Sequence, residues 1–324
     1  MLGALITTIL RGLAAIGRTG ARGLALSLVA GLSVPALGAW LKPWLPLMVG
    51  MFVTIGFARI DFSRARDLGR RPAALAAALV WLVASLPLAI WAALGLVGRE
   101  TLSPGLVLGL SLQAASAPIL ATPAIALLLG LEPTFALLLL TAHMAILPVV
   151  APLIAGFVAG DAVPLDGWAI ARNLALLLAG AWIAAAAIRR AFPLAAIRRR
   201  QHEIDGVNIV LLFLFAIGIF DGIAARALAE PGRVLAYVGI AFAVALTGQA
   251  AGFLALRRAT SPGDAFVAGY ATGNRNAGLM VAAMGGVLAP DTWLYFAAVQ
   301  GPIYLAPWLV APLARRLVPP VRSN

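Results

Sequence analysis

The chain has 324 residues, of which 62% are hydrophobic and 11% charged, whereas soluble domains carry about 25% charged residues. That balance excludes a soluble domain and specifies a polytopic membrane protein whose first partner is the lipid bilayer. A formal net charge of +12 would suggest nucleic acid in a soluble protein; here the basic residues collect in short loops, so topology accounts for them and no nucleic-acid partner is expected.

There are no cysteines, and the two histidines, His143 and His202, lie far apart in the chain. Disulfides, thiolate metal sites and cysteine nucleophiles are therefore excluded. No metal cluster is visible, and no cofactor is implied.

In chain order, Met1–Gly20 is moderately amphipathic, with Arg11 interrupting its apolar run. It reads as an interfacial segment reaching to residue 22, not as a signal peptide. A membrane span needs about 20 apolar residues. Ten stretches qualify: 23–40, 45–62, 73–98, 104–130, 133–159, 168–188, 206–226, 232–256, 263–289 and 291–314. The polar segments between them, such as Ser63–Pro72, Gly160–Gly167 and Arg189–Asp205, are too short to be soluble domains.

The arginines set the orientation. With the N-terminus inside, the inner segments hold Arg11, Arg18, Arg22, Arg64, Arg66, Arg70, Arg71, Arg189, Arg190, Arg198, Arg199, Arg200, Arg257, Arg258, Arg315, Arg316 and Arg322. The outer segments hold only Lys42, Arg99, Arg226 and Arg233, with Arg172 near the outer start of the sixth span. Excess Lys and Arg marks the cytoplasmic side, so both termini are expected in the cytoplasm and the protein in the cell inner membrane.

Ten spans divide into five plus five. An odd number per half inverts the second half, as in the inverted repeats of secondary transporters. The fourth span of each half is interrupted. In 104–130 the apolar run is broken by Gln113, Ser116, Pro118, Thr122 and Pro123; in 263–289 it is broken by Tyr270, Thr272, Gly273, Asn274, Arg275 and Asn276. Paired interruptions at corresponding positions point to a midplane binding site. Proline removes an N–H and disturbs the preceding turn, and freed backbone groups are tolerated only inside protein or beside a water-filled cavity.

Arg275 is the most demanding residue. It lies about 12 residues from the nearer end of its span, roughly 18 Å of helix, which is too deep for easy snorkelling. An arginine at a helix centre costs about 2.5–3.5 kcal/mol on insertion scales and about 10–17 kcal/mol in simulations of isolated helices. A cavity, a partner or an anionic ligand must offset that cost.

Three stretches resemble the bile acid:sodium symporter family and its bacterial relatives, and the likeness runs through nearly the whole chain. Pro46–Ala74 resembles that family's second span and following basic loop. Ala115–Leu140 resembles its broken fourth span, with Pro118 at the break. Gly269–Ala282 resembles its ninth, where the family pattern is roughly Glu-x-Gly-x-Gln-Asn-x-x-Leu; Gly273, Asn276 and Leu279 match. The resemblance implies an all-α fold of ten transmembrane helices, a 5+5 inverted repeat with broken, crossing fourth and ninth helices. It implies a panel of spans 1, 2, 6 and 7 (23–62 and 168–226) and a core of spans 3–5 and 8–10 (73–159 and 232–316), followed by a cytoplasmic tail, 317–324. Alternating access would come from panel and core moving against each other.

The departures bear on mechanism. In sodium-coupled members a glutamate and a glutamine of the ninth helix help to hold Na⁺, with a Ser-Asn pair in the fourth helix and hydroxyl residues in the fifth. Here Ala271 and Arg275 stand at the first two positions, Pro123 and Ala124 at the pair, and Leu138 and Ala142 at the hydroxyls. Two unit charges about 4 Å apart repel by roughly 4 kcal/mol at an effective dielectric near 20. The family's sodium sites are therefore expected to be absent. The guanidinium, which keeps its proton, is expected to stand in a sodium ion's place, bonding carbonyls freed at Thr122 or Pro123 or pairing with an anionic substrate.

The expected substrate-binding residues are Arg275, Asn274, Asn276, Thr272, Thr122 and Ser116. The helix breaks are assigned to Pro118, Pro123 and Gly273. His143, in the fifth span, can carry a proton, and Asp221, near the outer end of the seventh, can face water or pair with Arg226; both are candidate coupling residues. The asparagines can instead bond between helices, and the threonines back to their own helix. Gln113, Gln249 and Gln300 read as interhelical glue.

These features favour a secondary transporter of a small organic anion, an intramembrane cation attracting the substrate. The nearest alternative is a sodium-coupled organic anion symporter with altered ligands. Arsenite-efflux relatives fit less well, since such carriers often rely on a cysteine. An intramembrane enzyme lacks a nucleophile–base pair or metal ligands at usable spacing, and a channel lacks rings of charge. Ligand binding or transport is expected not to rise when Na⁺ replaces K⁺ at constant ionic strength; a rise would mean that sodium ligands lie elsewhere in the chain.

Overall fold

The structure is a computed structural model that describes residues 2–19, 26, 35–61, 72–285 and 288–318. Most of the described residues are helical, and none forms a strand. In chain order the helices are α1 Leu2–Gly17, α2 Pro35–Leu41, α3 Leu45–Ala58, α4 Pro72–Val97, α5 Pro104–Ala115, α6 Thr122–Leu128, α7 Thr134–Ala159 and α8 Gly167–Ala191. They continue with α9 Leu194–Arg199, α10 Gln201–Ile219, α11 Ile223–Ala229, α12 Pro231–Leu256, α13 Pro262–Gly273, α14 Ala277–Ala283 and α15 Pro290–Leu317.

Among the described residues, 7 helices are long and apolar enough to cross a membrane. The protein is therefore an all-α, membrane-embedded chain. One of the seven, Leu37–Ala58, joins α2 to α3 through the 3-10 turn Lys42–Trp44. The expected spans end at 40 and begin again at 45. Lys42 and Pro43 do not divide the helix, because Pro43 sits in the first turn of the 3-10 segment, where its missing N–H costs nothing. Most of the expected span 23–40, the basic loop 63–71 and residues 319–324 of the tail lie outside the described residues.

The chain forms two compact units, one of residues Met1–Ile60 and Leu177–Pro231, the other of Asp61–Leu176 and Gly232–Asn324. In the smaller unit α10 is the spine. α1 lies along it so closely that a Cβ at Gly17 would stand 1.9 Å from the His202 carbonyl oxygen, and one at Gly206 would stand 2.0 Å from that of Leu13. The expected interfacial segment is thus a helix docked on α10 through two glycines. Arg59 pairs with Asp205 at 2.8 Å, and Lys42 with Asp221 at 3.3 Å.

The larger unit contains the same sequence of elements twice. A 26-residue helix (α4, α12) leads into a 12-residue helix (α5, α13), a 7-residue helix (α6, α14) and a long helix of 26 or 28 residues (α7, α15). α15 is the most enclosed of the membrane-length helices, with 67% of its apolar window buried.

α12 and α13 pack backbone to backbone. Gly248 and Gly252 on one face Gly269 and Gly273 on the other, each pair spaced four residues apart. A Cβ at Gly269 would lie 2.6 Å from the Gln249 carbonyl oxygen, and one at Gly273 would lie 1.9 Å from that of Ala245. Small residues at this spacing let membrane helices approach closely. Overpacking of a filled core costs about 1–3 kcal/mol, and a collision with backbone falls at the upper end. Gly273→Ala is expected to lower the thermal unfolding midpoint in detergent. Gly239→Ala, on α12 with open space around it, is expected to leave the midpoint unchanged or raise it; equal loss in both would show that the close approach is not what holds this pair.

Candidate functional site

The site is built by two helices that start well and stop early. α5 and α13 both begin Ser-Pro-Gly. Ser103 Oγ accepts from Leu106 N at 3.2 Å, and Ser261 Oγ from Asp264 N at 3.1 Å, so each serine is an N-cap. Pro104 and Pro262 occupy the first helical position, where no N–H is needed. Both helices end after 12 residues as Ser116 and Asn274 turn extended, with ψ of 156° and 93°. Pro118 enforces the first break, since the residue before a proline is held out of the helical region. Pro123 does not break a helix; it lies in the first turn of α6 and helps to start it. Gly273 closes α13 and gives Ala245 room.

The two breaks meet. Ile119 N donates to Asn274 O at 3.1 Å and Asn276 N donates to Ala117 O at 2.8 Å. Pro118 and Arg275 sit opposite each other in this isolated antiparallel bridge. An unsatisfied backbone group in hydrocarbon costs several kcal/mol, and this pairing removes two of those that the breaks create.

The Arg275 side chain removes more. It is 0% exposed. Its Nε donates to Thr272 O at 2.9 Å, Nη1 to Ser116 O at 3.0 Å and Nη2 to Leu82 O at 2.7 Å. Thr272 and Ser116 lie at the C-terminal ends of α13 and α5, where carbonyls lack helical partners and each helix dipole presents about −0.5 charge. Leu82 lies on α4, five residues before Pro87, which cannot donate to Val83 and so loosens the adjoining turn. Bonds from charged donors contribute about 1.5–3 kcal/mol each. Three of them exceed the insertion-scale cost of a central arginine, and the two dipole ends act in the same direction. The sequence reading directed the guanidinium to carbonyls at Thr122 or Pro123. The carbonyls it reaches are those of Ser116, Thr272 and Leu82, because the bridge brings the end of α5, not the start of α6, beside residue 275.

The other expected site residues are largely occupied locally. Ser116 Oγ donates to Gln113 O at 2.9 Å, Thr122 Oγ1 to Ile119 O at 2.6 Å and Thr272 Oγ1 to Ala268 O at 2.8 Å. Asn276 Oδ1 caps α14 by accepting from Leu279 N at 3.2 Å. Asn274 Nδ2 donates to Tyr270 O at 3.1 Å, while its buried Oδ1 has no partner among the described residues. The structure thus gathers Arg275, Asn274, Asn276, Thr272 and Ser116 at the junction.

His143, on α7, is 1% exposed, and neither ring nitrogen has a hydrogen-bond partner among the described residues. Asp221 belongs to the smaller unit. There it pairs with Lys42, and Arg226 instead approaches Glu230 at 3.7 Å. Among the described residues no group of three or more His, Cys, Asp or Glu side chains is placed to hold a metal ion.

Several participants carried no side-chain signal. The Leu82 carbonyl is a backbone group, and only Pro87 hints at it. The paired glycines and the repeated Ser-Pro-Gly were legible in sequence and mark both short helices. Tyr295 OH bonds Gln113 Oε1, and Thr292 Oγ1 donates to Gly105 O at 2.8 Å, tying α15 to α5. No family model matches the chain, and no curated protein matches it.

Removing the guanidinium strands buried carbonyls, at about 1–3 kcal/mol for each group left unmade. Arg275→Gln is expected to destabilise the protein by on the order of 3 kcal/mol in denaturant unfolding of the detergent-solubilised chain, with Arg275→Lys falling between it and the native residue. A neutral Arg275→Gln would show that the three bonds do not hold the junction together.

Proposed function

We propose that the protein is a secondary transporter of a small organic anion, working by alternating access and without the sodium sites of the bile acid:sodium symporters it resembles. The observation that carries this reading is the Arg275 guanidinium seated on three backbone carbonyls where two interrupted helices meet. Converging carbonyl oxygens are ligands for a hard cation; here a permanent cation that belongs to the chain has them. A sodium ion that must bind and leave has no place at these oxygens.

Interrupted helices at membrane depth are the form that transporter binding sites take. The twofold order of elements in the larger unit supports the finer architecture, ten spans as a 5+5 inverted repeat, with α5–α6 and α13–α14 as the broken fourth and ninth spans. The sign of the substrate follows from charge. Among the described residues Arg275 has no carboxylate partner, and two of its five N–H donors remain beyond the three in use. Those donors can bond an anionic acceptor, and such charge-assisted bonds are strengthened in a low-dielectric setting. Bracing is the larger role of Arg275, since its bonds to the chain are already made.

The test is counterflow in proteoliposomes with a panel of small carboxylates. Saturable exchange is expected, at the same rate in Na⁺ and K⁺ media and with the carboxylate recovered unchanged. Flux that never saturates would indicate a channel, chemical conversion an enzyme, and acceleration by Na⁺ the symporter reading; each would displace this one.

A further inference from the structure

A second polar site lies at the end of α4 and α7, away from the helix breaks. A cavity of about 590 Å³ is lined there by Trp91, Arg99, Glu100, Phe157 and Asp161, among others. Its size falls within the range of small-molecule sites, about 300–1,000 Å³. Its construction is amphipathic. Trp91 and Phe157 stack with centroids 5.5 Å apart and ring planes 17° from parallel. One or two turns earlier in each helix, Leu88 precedes Trp91 on α4, and Val149 and Leu153 precede Phe157 on α7, each more than half exposed. Beyond the aromatic pair stand one guanidinium and two carboxylates. Both helices reach the cavity with their C-terminal ends, so apolar stripe, aromatic pair and charged cup follow one another along α4 and α7.

The charges decide what fits. Arg99 is anchored: Nε points to Val158 O and Nη2 to Trp91 O, both at 3.4 Å, and its guanidinium carbon lies 5.9 Å from the Trp91 ring centroid. Its Nη1 donors have no partner among the described residues. Neither Glu100 nor Asp161 has an ion-pair partner among them, and both are exposed. An isolated anion meets two carboxylates against one guanidinium and is disfavoured. A zwitterion with a phosphate and a primary ammonium satisfies all three charges, phosphate on Arg99 and ammonium on Glu100 and Asp161. The acyl chains then lie along Leu88, Val149 and Leu153. A quaternary ammonium satisfies the carboxylates less well because it has no N–H to donate, and the Trp91 face is already taken by Arg99. We propose that this cup is a specific site for an ethanolamine-type glycerophospholipid of the surrounding bilayer.

Surface ion pairs contribute about 0–1 kcal/mol each, so the headgroup preference is modest: about fivefold, or about 1 kcal/mol. Native mass spectrometry of the purified full chain in mixed micelles measures it, with phosphatidylethanolamine, its N-trimethylated counterpart phosphatidylcholine and phosphatidylglycerol carrying identical acyl chains. The ethanolamine lipid is expected to be retained about fivefold over the other two. The Glu100→Gln/Asp161→Asn double variant, altering two exposed side chains without partners among the described residues, is expected to lose that preference while keeping its thermal midpoint. Equal retention of all three lipids by the native protein, preference for phosphatidylglycerol, or an ethanolamine preference that survives in the double variant would each overturn the assignment. Soluble phosphoethanolamine added in excess separates the sources: it displaces the lipid only if the headgroup alone suffices, and full displacement at low concentration would overturn a lipid site in favour of a free-solute site.

Discussion

A guanidinium buried at the meeting point of two broken helices is the constraint around which the larger unit is arranged. Breaking a helix inside hydrocarbon releases donors and acceptors that nothing else will bond. Four residues answer part of that need by pairing strand-like, Ile119 with Asn274 and Asn276 with Ala117. The carbonyls left over point inward at the ends of α5 and α13, where two helix dipoles add to roughly one negative charge. One arginine supplies one positive charge and donors in a rigid fork. The match in charge is close, and it explains how an arginine persists without a carboxylate partner among the described residues and without exposure to water.

The surrounding packing serves to hold that fork in register. A guanidinium bonds well only within narrow limits of distance and angle, so the three carbonyls must be fixed independently of it. α13 is fixed against α12 by glycines on both sides of the contact. α5 is fixed against α15 by the Gln113–Tyr295 and Gly105–Thr292 bonds. Glycine in a helix costs about 1 kcal/mol relative to alanine, and four of them in one contact weaken the separate helices. What they gain is backbone contact, which in a lipid environment replaces the hydrophobic drive that water would supply.

The same rule, that charge in a low-dielectric setting requires compensation, shapes the rest of the molecule. Deep in the unit the compensation is backbone carbonyl, and it is permanent. In the smaller unit it is side chain to side chain, Arg59 with Asp205 and Lys42 with Asp221. At the end of α4 and α7, two exposed carboxylates and part of a guanidinium have no partner among the described residues beside an apolar stripe, and a zwitterionic lipid headgroup would supply the complementary groups.

Composition, apolar length and proline placement determined the fold class, because a membrane helix must satisfy its own backbone and needs about 20 apolar residues to cross. Those local quantities placed α4, α7, α8, α12 and α15 within a few residues of their ends, and they marked both interruptions. Local patterns misjudged Lys42–Trp44 and Pro123, because a proline stops a helix in its interior and starts one in its first turn. The sequence also singled out Arg275 by its depth alone. Only the tertiary structure decided what the arginine holds. Its partners are carbonyls of residues 82, 116 and 272, which no side-chain identity encodes, and which become neighbours only when the broken helices pair. The same holds for the α1–α10 contact and for the charged cup at Trp91 and Phe157, since each joins segments far apart in sequence whose proximity is set by packing.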